Sequence, residues 1–402
     1  MPNISFTSLL LVTIIAFLAP LILGLLPIRG LPDVVLEIVT GIVIGPSVLG
    51  WARIDLPIQV LSLLGLAFLL FLSGLEVDLS RLRGRLLLIV GAGFLFSFVL
   101  ALLIGYGLFV NGQVKSPLLI AIILSATALG VVVPVLKDAG ESSSNFGQLV
   151  IAAATIAEFG TIILLSLFFS GEASSTGTTL ILLAGLILLA GVFTLVVLRV
   201  ERSMHITAVL QRLQDTTAQI RVRGAFLLLV GFVVLASFFG LEVILGAFIA
   251  GVILRLIDAD RMITHPEFHQ KLEAVGFGVF IPIFFVATGL RFDLAALFAS
   301  PATILRVPLF LVALLVVRGV PAILYRSLVG KRHTIVAALL QATSLSFIVA
   351  AAQIGMQLGL ITKATDAALI AAGILSVVIF PLLALTILRG KAQTAVSAPE
   401  QA

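Results

Sequence analysis

One acidic residue stands in the middle of a long apolar run. It is Glu158, within Ala152-Ala153-Ala154-Thr155-Ile156-Ala157-Glu158-Phe159-Gly160-Thr161. A charge at the centre of a membrane span costs roughly 2.5–3.5 kcal/mol on insertion scales, so an acid kept there is a candidate functional group. A carboxyl removed from water favours its neutral form, while a cation beside it favours the ionised form. Such a group holds a proton or a metal cation, but not both strongly at once. That competition is the minimum requirement for exchanging one for the other. Arg318, within Leu314-Leu315-Val316-Val317-Arg318-Gly319-Val320, is the one basic residue inside an apolar run and away from its ends. Glu158 is its expected partner, and a static ion pair that fixes helix packing is the structural alternative. Glu37 and Glu242 lie nearer the ends of their runs and are secondary candidates, interfacial or structural by default.

Two small, hydroxyl-rich patches interrupt other apolar runs. Ser125-Ala126-Thr127-Ala128-Leu129-Gly130, followed by Pro134, is one; Gln341-Ala342-Thr343-Ser344-Leu345-Ser346 is its mate. Unwound backbone at these patches would offer carbonyl oxygens, the ligand type that a dehydrated alkali cation needs. Thr127, Ala128, Thr343 and Ser344 are therefore candidate ion-binding positions, with Gln341 a further one. The competing reading is ordinary helix packing, in which small residues let backbones approach.

These residues need apolar elements to hold them, and the composition supplies them. The 402 residues are 61% hydrophobic and 11% charged, and the mean hydropathy is +1.29. Soluble domains are about 45–50% apolar and about 25% charged. A soluble enzyme, a disordered chain and a nucleic-acid binder are excluded on that ground. The net charge of +5 points to anionic lipid as the partner of the basic residues. Cysteine is absent, so there is no disulfide framework, thiolate metal site or cysteine nucleophile.

A spanning helix needs about 20 mostly apolar residues. Thirteen such runs are read: 5–26, 33–50, 57–75, 85–110, 117–137, 147–170, 178–199, 223–239, 241–257, 273–290, 301–325, 334–357 and 365–388. With thirteen spans, 18 of the 24 Lys and Arg fall on one side and five on the other, with Arg318 inside a span. The rich side is expected in the cytoplasm, which puts the N-terminus outside and the C-terminus inside. Residues 201–222 are polar, with Ile206, Val209, Leu210, Leu213, Thr217 and Ile220 at helical spacing, and read as an interfacial cytoplasmic helix. The tail 391–402 is short and polar.

Three local matches relate the halves of the chain. Leu36-Glu37-Ile38-Val39-Thr40-Gly41 pairs with Leu241-Glu242-Val243-Ile244-Leu245-Gly246. Gly74-Leu75-Glu76-Val77-Asp78-Leu79 pairs with Gly289-Leu290-Arg291-Phe292-Asp293-Leu294. Ala126-Thr127-Ala128-Leu129 pairs with Ala342-Thr343-Ser344-Leu345. The order is kept and the offset is nearly constant. The shift is seven spans, an odd number, so the second copy crosses the membrane in the opposite sense. That is the inverted-repeat plan of secondary transporters. The expected organisation is a first repeat over 1–170, a linking segment over 171–222, a second repeat over 223–390 and the tail.

Several stretches now carry a family likeness. Glu37-Ile38-Val39-Thr40-Gly41-Ile42-Val43-Ile44-Gly45-Pro46-Ser47-Val48-Leu49-Gly50, Phe71-Leu72-Ser73-Gly74-Leu75-Glu76 and Phe285-Val286-Ala287-Thr288-Gly289-Leu290 resemble signatures of the monovalent cation:proton antiporter-2 family. These are the Kef-type and sodium/proton exchangers of bacteria. The resemblance implies two crossed, interrupted helices flanking a helix that carries one or two carboxylates. That pair falls on Ala157 and Glu158, so the first acid is missing here. The basic residue of a late helix falls on Arg318. A homodimer in a bacterial inner membrane is also implied, as is exchange of Na+ or K+ for H+. A single site carboxylate favours electroneutral exchange.

Other functions stay open at this level: a channel-like potassium efflux protein, an organic-anion transporter on a similar plan, or a membrane sensor. No nucleophile elbow, phosphate loop or HExxH motif is present, so neither an enzyme nor a cofactor is expected. His265-Pro266-Glu267-Phe268-His269 has a metal-like spacing, but it is read as a polar loop in which Pro266 opposes a helical pair. All four histidines (His205, His265, His269, His333) fall on the basic side and read as solvated loop residues. No metal beyond the transported cation is expected.

Overall fold

The computed structural model describes residues 6–25, 32–76, 84–169, 176–201, 216–259 and 266–389, and no strand occurs among them. In a bilayer core every backbone polar group must find its partner within the protein, which favours helices. The order is α1 Thr7–Leu25, α2 Asp33–Ile44, α3 Leu56–Glu76, α4 Gly84–Val110, α5 Pro117–Ser125, α6 Leu129–Asp138, α7 Asn145–Phe169, α8 Thr176–Glu201 and α9 Ile220–Phe238. It continues with α10 Val243–Ala259, α11 Pro266–Val275, a π-helical turn Gly276–Phe280, α12 Ile281–Arg291, α13 Leu294–Phe298, α14 Pro301–Gly319, a 3₁₀ stretch Val320–Tyr325, α15 Arg326–Gln341, α16 Ser346–Gln357 and α17 Lys363–Arg389.

Ten helical stretches among the described residues are long and apolar enough to cross a membrane. One of them, Pro301–Gln357, has 57 residues. At 1.5 Å per residue that is about 85 Å of helix, far beyond a hydrocarbon core of about 30 Å. Gly330 divides it, with φ 77° and ψ 168° inside α15. Only glycine enters that region without a Cβ penalty. The thirteen runs read from sequence divide the same chain more finely, because they count the shorter α2 and α10 and split this long stretch.

Two local expectations change. The second run was expected to reach residue 50, but α2 ends at Ile44, because Pro46 lacks an amide and Gly45 is extended. Ser47 instead ties this turn to the start of α13: its hydroxyl donates to the Phe292 carbonyl at 2.6 Å and accepts from the Leu294 amide at 3.4 Å. The loop expected around His269 is helical, because Pro266 opens α11, a position where its missing amide costs nothing. His269 thus lies on a helix, while His265 and His205 fall outside the described residues. So do most of the linker 201–222 and the tail 391–402.

The chain packs as two units. One contains α3, α8, α9, α10 and α11; the other contains α2, α4, α5, α6, most of α7 and α13 to α17. Within the first, α3 and α10 cross at Gly74 and Gly251. A Cβ on Gly251 would stand 2.0 Å from the Phe71 carbonyl oxygen, and one on Gly74 2.2 Å from that of Phe248. Within the second, a Cβ on Gly289 would stand 2.2 Å from the Ile38 carbonyl oxygen on α2. The sequence pairing of the halves exchanges these two glycine crossings. In the second unit Arg332 also donates to the carbonyls of Ile387 and Leu388 at the end of α17. A cation there answers the negative end of the helix dipole.

Gly251→Ala should therefore lower stability by about 1–3 kcal/mol, the usual cost of forcing atoms into a packed site. Gly231→Ala on α9, where a Cβ meets nothing within 4 Å, should change it by less than about 0.5 kcal/mol. Thermal unfolding of both variants in detergent checks this, and equal midpoints would contradict the close crossing.

Candidate ion-exchange site

Helix α5 ends at Ser125 and the chain resumes as α6 at Leu129, leaving Ala126 and Ala128 extended. The reason lies in the amides. The Ala128 N–H donates to the Thr343 carbonyl at 2.8 Å rather than one turn back. The Leu129 N–H donates to Oε2 of Glu158 at 3.3 Å. Two bonds that would have continued the helix go to distant groups instead. The second break, Ala342–Leu345 between α15 and α16, is thus joined to the first by a backbone bond. Both breaks sit within the patches singled out in the sequence.

Glu158 lies near the middle of α7 and is 3% exposed. Its carboxylate takes the first free amide of α6, a helix N-terminus whose unpaired N–H groups favour negative charge. Ala157 is fully buried beside it, so no second acid stands at that position. Thr161, one turn on, returns its hydroxyl to the Ala157 and Glu158 carbonyls at 2.8 and 3.0 Å.

Arg318 is the largest fully buried side chain among the described residues. Its Nε donates to Thr127 Oγ1 at 2.9 Å, Nη1 to Ser97 Oγ at 3.1 Å and Nη2 to Gln341 Oε1 at 3.4 Å. The ion pair with Glu158 expected from sequence is not among these bonds: the described partners of the guanidinium are neutral. Burying an unpaired charge costs several kcal/mol per ion. Three charge-assisted hydrogen bonds in the planar fork of arginine offset part of that cost. The local backbone helps. Pro321 cannot donate to Val317 four residues back, and the α-helix gives way to 3₁₀ just after Arg318. The Val317 carbonyl is then open to Ser97, whose hydroxyl donates to it at 2.6 Å. That bond turns the serine lone pairs towards the guanidinium.

Thr127 is the junction of the network. Its Oγ1 accepts from Arg318 and donates to the Gln341 carbonyl at 2.7 Å. The Thr343 hydroxyl only returns to Leu339, in the last turn of the preceding helix α15, at 3.2 Å. The carbonyls expected to be free at both patches are mostly free at the first and mostly taken at the second, where among the described residues only that of Ala342 receives no donor. In the second break those of Gln341, Thr343 and Ser344 receive Thr127, Ala128 and Ser376. Among the described residues no donor reaches the carbonyls of Ser125, Ala126 and Thr127 in the first break. The Ser344 hydroxyl is buried without a hydrogen-bond partner. Nε2 of Gln341 is likewise buried without a hydrogen-bond partner.

Glu37, buried in the first turns of α2, and Glu242, just before α10 with its amide on Ser166 Oγ at 3.4 Å, make none of the bonds of this network. Ser97 and Ser376 were missed in the sequence. Each is a lone serine in an apolar run, with no local pattern to mark it. No group of three or more metal-ligating side chains occurs among the described residues.

The family model described as "Sodium/hydrogen exchanger, transmembrane" matches residues 13–389. YjbQ of Bacillus subtilis, a candidate Na(+)/H(+) antiporter by name, is 34% identical over 397 residues, which cover 95% of this chain. The chain spans 63% of the length of that relative. A candidate Na(+)/H(+) antiporter of Methanocaldococcus jannaschii is 28% identical, with 92% of each chain covered. The solved structure of the sodium proton antiporter MjNhaP1 from the same organism shares the fold, with a TM-score of 0.62 at 18% identity, over 97% of this chain and 96% of that one.

The network separates two similar substitutions. Thr127→Val keeps the shape but leaves a buried guanidinium donor unmet, at a cost on the order of 1–3 kcal/mol. Thr343→Val removes only a local bond back to the end of α15, and the change should stay within about 0.5 kcal/mol. Unfolding midpoints, together with apparent cation affinity in proteoliposomes, measure both. Equal losses at the two positions would count against Thr127 as the junction.

Proposed function

The chain belongs to the sodium/hydrogen exchanger family, and from that membership we propose that it exchanges a monovalent cation for protons by alternating access, with Glu158 as the competing carboxylate. The observation that carries the reading is the placement of Glu158: buried, mid-helix, and bonded to the first amide of α6 at the edge of an unwound stretch. Ionised, it attracts a cation whose remaining ligands are the carbonyls of Ser125, Ala126 and Thr127. Protonated, it loses that attraction, and the cation leaves. The network of Arg318 supports this division of labour. It holds the crossing with a charge that neither titrates in the working range nor neutralises Glu158 by direct pairing.

Na+ is the first candidate, because the relatives are named for Na+ and H+; K+ is the second. With Ala157 beside Glu158, one proton leaves for each cation that enters, and exchange is electroneutral. The basic loops face the cytoplasm, which places the N-terminus outside and the C-terminus inside, in a bacterial inner membrane. Two copies form a homodimer, as the resemblance implies. The thirteen-span inverted repeat belongs to the same reading, supported by the two breaks and by the exchanged glycine crossings.

Glu158→Gln keeps the size and cannot titrate, so it should abolish cation/proton exchange while eluting as a folded protein. Glu158→Asp should retain part of the activity with altered apparent affinity. A pH-dye assay in proteoliposomes, run with each chloride salt, reads both and ranks the cations. Normal exchange by a folded Gln variant would remove Glu158 from the mechanism.

Electroneutrality has its own test, the ion gradient at which flux reverses in proteoliposomes clamped at several potentials. A net charge moved per cycle would feel about 2.3 kcal/mol per 100 mV, so the expected reversal point is independent of voltage. A shift of the size expected for two protons per cation would require a second proton carrier, with Glu37 and Glu242 the first to replace.

A further inference from the structure

Ser376, in α17, is fully buried. Its single hydroxyl hydrogen is shared between the Ser344 carbonyl at 2.9 Å and the Gly373 carbonyl at 2.8 Å, and its oxygen accepts from the Ser344 amide at 3.1 Å. The bond to Gly373 is the common return of a helical serine to its own preceding turn. The other two are of a different kind. They take both backbone polar groups of one residue, and that residue lies in the unwound second break. Outside a helix those groups have no partner from their own turn and must find one elsewhere in the fold.

Gly373 makes the approach of α17 close. It lies three residues before Ser376 and so on the same helix face. A Cβ there would stand 3.1 Å from Cδ1 of Leu345 and 3.2 Å from the Ser344 oxygen. The neighbouring carbonyls of the break, Gln341 and Thr343, are the ones that Thr127 and Ala128 of the first break reach.

We infer that Ser376 is the positioning residue of the second interruption: its hydroxyl replaces the helical bonds that Ser344 lacks and so holds the Gln341 and Thr343 carbonyls where the first interruption binds them. The two interruptions then differ in task. The first presents open carbonyls beside Glu158; the second is a brace, fixed from α17. The effect on transport rests on the exchanger reading above, whereas the brace itself does not.

The experiment compares Ser376→Ala, Ser376→Thr, Gly373→Ala and Val377→Ala. Val377 is a fully buried neighbour of Ser376 on α17. Hydrogen exchange of the segment 341–348 is measured alongside the apparent Na+ KM and kcat in proteoliposomes. Ser376→Ala should speed exchange at 341–348 and raise KM roughly tenfold, with a smaller change in kcat. Ser376→Thr, which keeps a hydroxyl, should bring both back to within about threefold of wild type. Val377→Ala should lower the unfolding midpoint while leaving both readings unchanged. If Ser376→Ala does not fold, Gly373→Ala, which crowds the Ser344 carbonyl, is expected to move the same two readings in the same direction. Wild-type exchange at 341–348 in folded Ser376→Ala, or in Gly373→Ala where the first variant fails, overturns the brace; so does a KM shift that Val377→Ala reproduces. Faster exchange in Ser376→Ala together with a wild type that moves no cation would support the brace and sink the exchanger reading instead.

Discussion

A peptide amide inside an apolar layer cannot be left without an acceptor. The candidate site follows from where two such amides go. Ala128 and Leu129 lie where a continuous helix would have directed them at Leu124 and Ser125. One reaches Thr343 in the other break, and the other reaches Glu158. The helix opens because better-placed acceptors compete for its amides. In opening, it leaves the Ser125 carbonyl uncovered, beside those of Ala126 and Thr127, which also receive no donor among the described residues. The break in the helix and the open carbonyls beside it are two consequences of one redistribution of hydrogen bonds.

Arg318 shows the second constraint. A guanidinium this deeply buried would ordinarily be paired with a carboxylate. Its fork is instead filled by a threonine, a serine and a glutamine, drawn from the first break, α4 and the end of α15. The charge is retained while Glu158 stays outside its hydrogen bonds. A direct ion pair would hold Glu158 ionised and compete with any cation for the same oxygens. Neutral oxygens thus hold the guanidinium at the crossing, while the Glu158 carboxylate is bonded to the Leu129 amide. The neutral partners also make the arrangement brittle, since losing one oxygen strands a buried donor.

The two breaks share a composition and differ in bonding. Threonine at 127 links a guanidinium to a carbonyl across 214 positions of chain, whereas threonine at 343 closes onto the end of α15 just before it. The difference comes from what packs alongside. The end of α14 brings Arg318 to the first break, and α17 brings Ser376 to the second. Two similar local sequences are bonded differently because each meets a different neighbour.

The sequence by itself determined the membrane character, the positions of the apolar runs, the oddity of Glu158 and Arg318, and the two patches where the helices stop. All of these are local properties: insertion cost, apolar length and small-residue composition are read within about 20 residues. Family membership was legible for a similar reason, since its signatures are contiguous. Only the tertiary structure decided the partners of Arg318, the open carbonyls of the first break, the closed ones of the second and the parts played by Ser97 and Ser376. Those bonds join Arg318 to residues 191 and 221 positions away, and Ser376 to one 32 positions away. Which hydroxyl meets which backbone group depends on how spans pack side by side. Early helix endings such as that of α2 and the helical setting of His269 were likewise settled by single prolines, whose effect depends on the turn they occupy.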